Sequence, residues 1–232
     1  MNLGRVLFLI ALSAALVALA IRYPIHIQTQ MSEGRGLLGA IGHLFSYFTI
    51  VMNTLVGLCL LAHTNLFRER MKPFRNPVVM GTAIAGILIV MIVYYLLLSE
   101  THNPTGISAL TNVLQHYVVP IVFPLWWFFA GRIANMEWRH VPMMMIIPVI
   151  YLSWIFTRGA IIGEYPYDFL NVAEKGISGV APILAAITFL FLIFGSFVVF
   201  FDKRTAAYCV CHPPQLRHCE DVGQPPQDHG FQ

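Results

Sequence analysis

Six long apolar segments, separated by short polar ones, account for most of the chain. They cover about residues 3–21, 39–62, 78–98, 108–130, 141–157 and 180–201. A helix needs about 20 apolar residues to cross the hydrocarbon core of a bilayer. The pattern predicts an all-α membrane protein, a six-transmembrane-helix bundle over residues 1–204. A polar link at about 23–38 and a loop at 158–179 are expected between spans, and a flexible tail at 205–232.

The second segment carries a polar stripe inside its apolar sequence. Gly42, Ser46, Thr49, Asn53 and Gly57 follow one another at intervals of four, three, four and four residues. On a continuous helix this spacing places them on one face. A hydroxyl or an amide at this depth has to face protein or a cavity rather than lipid. The stripe therefore predicts one wall of a functional site.

The fourth segment carries an imidazole beside a proline. Asn112 and His116 are four residues apart and share a helix face. Pro120 cannot donate a backbone hydrogen bond to the carbonyl of residue 116, so the helix should kink there. An ionisable residue next to a broken helix inside a membrane is a candidate functional group.

Thr49 and His116 are expected at similar depths in the bundle. At 1.5 Å per residue, Thr49 and His116 lie about 15 Å and about 12 Å from the same end of the bundle. A threonine hydroxyl attacks an ester only when a base takes its proton, and a histidine can be that base. Each residue also has a purely structural interpretation: Thr49 bonded to its own helix, and His116 as a buried hydrogen-bonding group.

The fifth segment and the loop after it suggest contacts with the polar end of a ligand. Tyr151, Trp154 and Arg158 follow one face of the segment, and Tyr165 and Tyr167 lie in the loop. An arginine at the mouth of a cavity can hold a carboxylate or phosphate head group. The alternative is an interfacial anchor with aromatic neighbours.

Composition and charge agree with a membrane protein. Hydrophobic residues make up 57% of the chain and charged residues 11%, and mean hydropathy is +0.70. Ten of the 14 basic residues fall on one side of the predicted topology, which places both termini in the cytoplasm. The net charge of +3 does not indicate a nucleic-acid partner, because the basic residues lie in short loops where topology explains them. The four cysteines imply no disulfide framework.

The two ends of the chain leave alternatives open. Ala18-Leu19-Ala20 is typical of a signal-peptidase site, but the apolar run before it is long for a signal peptide, which favours a retained helix. The tail could bind zinc, or be disordered and palmitoylated. The candidate ligands are Cys209, Cys211, His212, His218 and Cys219, whose spacing is not that of a zinc finger.

Three motifs resemble those of the androgen-induced-protein family of multipass membrane proteins. They are Ser46-Tyr47-Phe48-Thr49 with Asn53, His116-Tyr117-Val118-Val119-Pro120, and Gly163-Glu164-Tyr165-Pro166-Tyr167-Asp168-Phe169-Leu170. The chain is most similar to the bacterial six-helix relatives of that family, over about residues 39–201. The resemblance implies a bacterial inner (plasma) membrane protein.

Animal members of that family are intramembrane threonine hydrolases that cleave fatty acid esters of hydroxy fatty acids. By resemblance, Thr49 matches their nucleophile, His116 their histidine, and Tyr165-Pro166 their tyrosine-proline element. After that pair the chain has Tyr-Asp-Phe-Leu instead of a direct Phe-Leu. The departure lies in the loop, outside the motifs that carry Thr49 and His116.

Three hypotheses of different classes follow. In the first, Thr49 and His116 hydrolyse lipid esters through an acyl-threonine, with Ser46, Asn53 or Asn112 as oxyanion donor and without a cofactor or metal. In the second, the same cavity binds or transports a lipid or small molecule without catalysis. In the third, His43 and His116 are axial ligands of a haem.

Overall fold

The structure, a computed structural model, describes residues 2–100, 102–132 and 135–211, with side chains up to Arg204. Every regular element in these ranges is a helix, which confirms the all-α class. The helices are α1 (Leu3–Ser32), α2 (Leu37–Leu44), α3 (Phe48–Ala62), α4 (Pro77–Val93), α5 (Gly106–Val113), α6 (Val119–Trp126), α7 (His140–Met143), α8 (Ile146–Ile162) and α9 (Val172–Cys211). Single π-helical turns extend α4 (Tyr94–Leu98), join α5 to α6 (Leu114–Val118) and extend α6 (Trp127–Gly131).

The helix lengths are those of a multipass integral membrane protein. Within the described ranges, five helical stretches are long and apolar enough to cross a membrane, namely Leu3–Ser32, Pro77–Leu98, Gly106–Gly131, His140–Ile162 and Val172–Arg204. The pair α2 and α3 makes a sixth if it is counted as one bent span. The prediction of a multipass helical membrane protein is therefore confirmed, with five or six spans in the described ranges.

The first helix is longer than predicted. The prediction of a polar link at 23–38 is wrong for most of that range, because α1 continues through Pro24 to Ser32. Buried polar contacts accompany this extension: His26 Nε2 lies 2.9 Å from His43 Nδ1, and Gln30 donates to Glu33. Nearer the start of the helix, a buried row of small residues packs against α3 and α6 (Ala11, Ala14, Ala15 and Ala18).

The second apolar segment is broken rather than continuous. The axes of α2 and α3 differ by 84°, with the break at residues 45–47. The prediction that the polar stripe forms one helix face is therefore wrong, since Gly42 and Ser46 precede the break and Thr49 and Asn53 follow it. Tyr151 of α8 donates from its hydroxyl to the Ser46 carbonyl at 2.8 Å. This bond gives the carbonyl at the break a partner from another helix.

The core of the bundle is built around α4, which packs against α3, α6 and α9. Glycines allow close approach: Gly81 faces Met144, and Gly86 faces the sulfur of Met52, where a Cβ would overlap. Thr82 donates to the Met144 carbonyl of the neighbouring α7–α8 segment at 3.1 Å. This packing fixes α3, and the residues at its first turn, against α4.

The last two spans also begin and end outside their predicted limits. Helix α8 ends at Ile162, so Arg158 lies within the helix, four residues before its end, rather than in a loop. Helix α9 begins at Val172, contains one non-helical residue at Gly176, and continues past the predicted domain limit of residue 204 to Cys211. The hypotheses on the tail, zinc binding or palmitoylation of a flexible segment, fall outside the described residues and side chains.

Candidate active site

Thr49 lies at the second position of α3, directly after the break in the second apolar segment. Its hydroxyl oxygen is 3.3 Å from Nε2 of His116. The predicted approach of these two groups is thus present in the structure. The position also leaves backbone donors nearby, because the first N–H groups of a helix have no carbonyl partner within it.

His116 is held in one orientation by its own helix and by α4. It lies in the π-helical turn Leu114–Val118, just before Pro120, where the sequence predicted a kink. Its Nδ1 is 3.1 Å from the carbonyl oxygen of Asn112. Since a carbonyl only accepts, Nδ1 carries the proton and Nε2 presents a lone pair to the Thr49 hydroxyl.

Tyr94 covers the imidazole ring. The two rings stack with centroids 3.9 Å apart and planes 22° from parallel. The Tyr94 hydroxyl also accepts a 2.7 Å hydrogen bond from the side-chain amide of Asn112. Tyr94 therefore positions His116 through the ring and through the residue whose carbonyl holds Nδ1. Tyr94 lies within an apolar run, so no spacing or motif in the sequence marks it as a site residue.

The start of α3 also brings backbone donors to Thr49. The hydroxyl of Tyr167 faces the Thr49 side chain and the backbone N–H groups of Phe48 and Thr49. The residue before the helix, Tyr47, makes no side-chain hydrogen bond to this helix start. Two N–H groups and a phenol thus surround the nucleophile candidate, an arrangement that a continuous helix through residues 39–62 would not provide.

Ser46 and Asn53, predicted to contact substrate, have structural contacts instead. Ser46 is buried and donates to the Gly42 carbonyl at 2.8 Å. Asn53 is buried too, and its amide donates to the carbonyls of Thr49 and Gln115, at 2.9 and 3.3 Å. Neither residue lines the two chambers described next. Asn53 instead ties α3 to the turn that carries His116.

Two chambers meet at Thr49. A polar chamber of about 530 Å³ contains His116, Asn112 and Arg22, and a narrow apolar chamber of about 80 Å³ extends between α3, α4, α8 and α9. Four residues line both chambers: Thr49, Tyr94, Leu98 and Tyr167. A molecule whose reacting carbon reached Thr49 would therefore have one part in apolar and one part in polar surroundings.

Of the other residues predicted to contact the substrate, some line a chamber and some pack elsewhere. Tyr151 lines the apolar chamber, and Asn112 and Tyr167 line the polar one. Trp154 is 45% exposed and packs near Gly42, and Tyr165 lies over Gly159. Neither Trp154 nor Tyr165 lines the two chambers.

Arg158, predicted to hold a head group, is engaged by an acidic neighbour. It is only 8% exposed, and its guanidinium lies 2.5 Å from one carboxylate oxygen of Glu164. Arg35 binds the other oxygen, also at 2.5 Å. Arg158 does not line either of the two chambers. The ion pairs instead attach the loop after α8, which carries Tyr167, to the link between α1 and α2.

We expect the Glu164 ion pairs to stabilise the fold in a pH-dependent way. The hydrogen bond from Arg35, aided by the one from Arg158, lowers the pKa of the Glu164 carboxyl from its ordinary value of 4.5. A lowered folded-state pKa adds stability above pH 4.5, which is lost as the pH falls through the folded pKa. Glu164→Gln should therefore lower the unfolding free energy at neutral pH, and with it the melting temperature. We expect a loss of about 1–2 kcal/mol, a modest value because Glu164 is partly exposed.

The measurement is thermal unfolding in detergent across the acid range. Wild type and Glu164→Gln should converge at pH values well below 4.5. Glu100→Gln, an exposed glutamate at the same end of the bundle, is the control and should match wild type throughout. A gap between wild type and Glu164→Gln that stays constant with pH would contradict this account.

The haem hypothesis requires His43 and His116 to face one another, and the structure pairs His43 with another residue. His43 bonds and stacks with His26, with ring centroids 5.1 Å apart, rather than with His116. In the part of the chain that the structure describes, no group of three or more His, Cys, Asp or Glu side chains is arranged to hold a metal ion.

Comparison with known proteins adds no relative to this geometry. No family model, no curated protein and no solved structure matches the chain.

Proposed function

We propose that this protein is an intramembrane threonine hydrolase that cleaves lipid esters, such as fatty acid esters of hydroxy fatty acids. The observation that supports it most is the 3.3 Å approach of Thr49 Oγ1 to His116 Nε2 where an apolar and a polar chamber meet. Lipid esters need both surroundings, since their acyl chains are apolar and the reaction releases a polar acid and an alcohol.

In the first half of the reaction, His116 Nε2 takes the proton of the Thr49 hydroxyl as its oxygen attacks the ester carbonyl carbon. The negative charge then develops on the former carbonyl oxygen. We assign its stabilisation to the N–H groups of Phe48 and Thr49 and the phenol of Tyr167, which lie beside the Thr49 side chain. When the intermediate collapses, Nε2 returns its proton to the departing alkoxide, and an acyl-threonine remains.

In the second half, His116 takes a proton from water, which attacks the acyl-threonine. Collapse breaks the bond to Thr49 Oγ1, the proton returns to that oxygen, and the fatty acid leaves. Throughout, the Asn112 carbonyl keeps the proton on Nδ1, the orienting task that an aspartate has in a triad. Among the described residues, no carboxylate lines either chamber, so the proposal is a dyad.

Orientation in the membrane belongs to the same proposal. The site lies towards the end of the bundle formed by residues 33–36, 99–100, 102–105 and 163–171. The most basic loop, at 68–75, is at the other end. By the positive-inside rule both termini face the cytoplasm, and the polar chamber is reached from the outer side of the membrane, the bacterial inner membrane on the family resemblance.

Activity-based labelling tests the proposal. A fluorophosphonate probe should label the wild-type protein in membranes and fail to label Thr49→Ala. Ser46→Ala is the matched control, because it removes the other hydroxyl near the break while that hydroxyl points to a backbone carbonyl. Wild-type protein that is folded, unlabelled and purified with an intact lipid ester in its cavity would overturn the proposal and favour the binding protein of the second hypothesis.

We expect substitutions of Tyr94, which positions His116, to lower kcat. Tyr94→Leu should lower kcat by about 10- to 100-fold, because His116 loses the ring that holds it and Asn112 loses its acceptor. Tyr94→Phe keeps the ring and should lose less. Tyr95→Leu is the control: Tyr95 is 65% exposed and should leave kcat unchanged. Steady-state kinetics in detergent micelles measure all three, and a Tyr94→Leu enzyme with wild-type kcat would contradict the positioning role.

A further inference from the structure

Arg22 lies in the wall of the polar chamber, within the same cavity as Thr49 and His116. In the sequence, Arg22 is the basic residue that follows directly after the first apolar segment. In the structure α1 continues for ten more residues, to Ser32, so Arg22 sits about 15 Å before the helix end at 1.5 Å per residue. Arg22 is therefore within the helix and beside the chamber rather than at the helix end.

Among the described residues, Arg22 has no acidic partner. The other three basic residues at this end of the bundle do: Arg35 and Arg158 bind Glu164, and Lys175 binds Asp168. Its side chain is partly buried, and its charge acts on His116 and on Tyr47, which line the same chamber. A partly buried cation that lacks a counter-ion in the protein is suited to binding one from a ligand.

We propose that Arg22 binds a carboxylate on the alcohol half of the ester, and so decides which ester is cleaved and which way round it enters. This inference rests on the proposed hydrolase function and extends it. With the ester carbonyl at Thr49, the first carbons of an apolar acyl chain enter the narrow chamber and the alcohol half lies in the polar one. One guanidinium matches a monoanion in charge and in its pair of acceptor oxygens.

The opposite arrangement is disfavoured by the same contacts. The apolar chamber is lined by side chains such as Val90, Leu184 and Phe191, and a carboxylate moved there would lose its hydration without gaining a partner. An ester with its carboxylate at the far end of the acyl chain should therefore be a poor substrate. The charge selects the orientation of the molecule as well as its class.

Matched esters and variants test the proposal. The esters are one with a free carboxylate on the alcohol half and its methyl ester, which has the same shape without the charge. Arg22→Gln should lower kcat/KM for the carboxylate ester by about 10- to 100-fold and change it little for the methyl ester. Arg22→Lys should restore part of the loss. Arg5→Gln removes an exposed arginine near the start of the same helix and should behave as wild type.

Equal losses on both esters, or no loss on either, would overturn the role of Arg22 even if Thr49→Ala abolishes turnover. If instead Thr49→Ala retains turnover, the hydrolase proposal fails, and binding becomes the readout for Arg22. A long-chain hydroxy acid should raise the melting temperature of Thr49→Ala protein but not of Thr49→Ala/Arg22→Gln protein. Equal stabilisation of both proteins, or stronger stabilisation of the first by a long-chain phosphate, would overturn a carboxylate site.

Discussion

Thr49→Ala should lower lipid-ester hydrolysis by at least about 10³-fold, because it removes the atom that forms the acyl intermediate. The remaining rate would come from the water and the oxyanion donors left in the chamber. Thr49→Ser keeps the hydroxyl at the same position and should retain much of the activity. Initial rates with purified protein in detergent, on a carboxylate-bearing lipid ester, measure both variants.

The packing around Thr49 makes this test interpretable. The threonine side chain lies at the first turn of α3 beside two chambers, so its loss should leave the melting temperature close to that of wild type. A Thr49→Ala protein with the wild-type melting temperature and wild-type turnover would remove Thr49 from the mechanism.

His116→Ala is expected to cause a loss of similar size, about 10³-fold or more, since the Thr49 hydroxyl then has no base. The informative comparison is the double variant Thr49→Ala/His116→Ala. Groups that act as one unit are not additive, so the double variant should be about as slow as either single one. Rates are compared at one substrate concentration and one pH, and with the melting temperature as a control for folding. A double variant whose loss equals the product of the two single losses would mean that the residues act independently.

The sequence was sufficient for the class of the fold because a run of apolar residues long enough to cross a bilayer has few other uses. It was insufficient for the bend between α2 and α3. Residues 45–47 are Phe-Ser-Tyr, without the proline or glycine that usually marks a break. The bend accompanies a contact with a distant residue, the hydrogen bond from Tyr151 to the Ser46 carbonyl. Contacts of this kind depend on how the spans pack, which spacing along one segment does not specify.

The same distinction applies to the site. The pairing of Thr49 with His116 could be predicted because depth follows from helix rise alone. The sequence could not predict which of the two arginines, Arg158 or Arg22, lies in the chamber. Both are single arginines near the end of a span, and only the fold brings Glu164 to Arg158 and leaves Arg22 in the chamber. The proposed oxyanion donors could not be predicted for a related reason, since the N–H groups of Phe48 and Thr49 lie at a helix start only because α3 begins there.

The central claim is that the Thr49 hydroxyl becomes acylated with His116 as its base. Mass spectrometry of protein quenched during turnover of an activated fatty-acyl ester tests it directly. We expect one acyl group on the wild-type protein, located by peptide fragmentation on Thr49, and no such adduct on His116→Ala. An acyl group on another residue, or turnover without any adduct on Thr49 while His116→Ala remains active, would contradict the account.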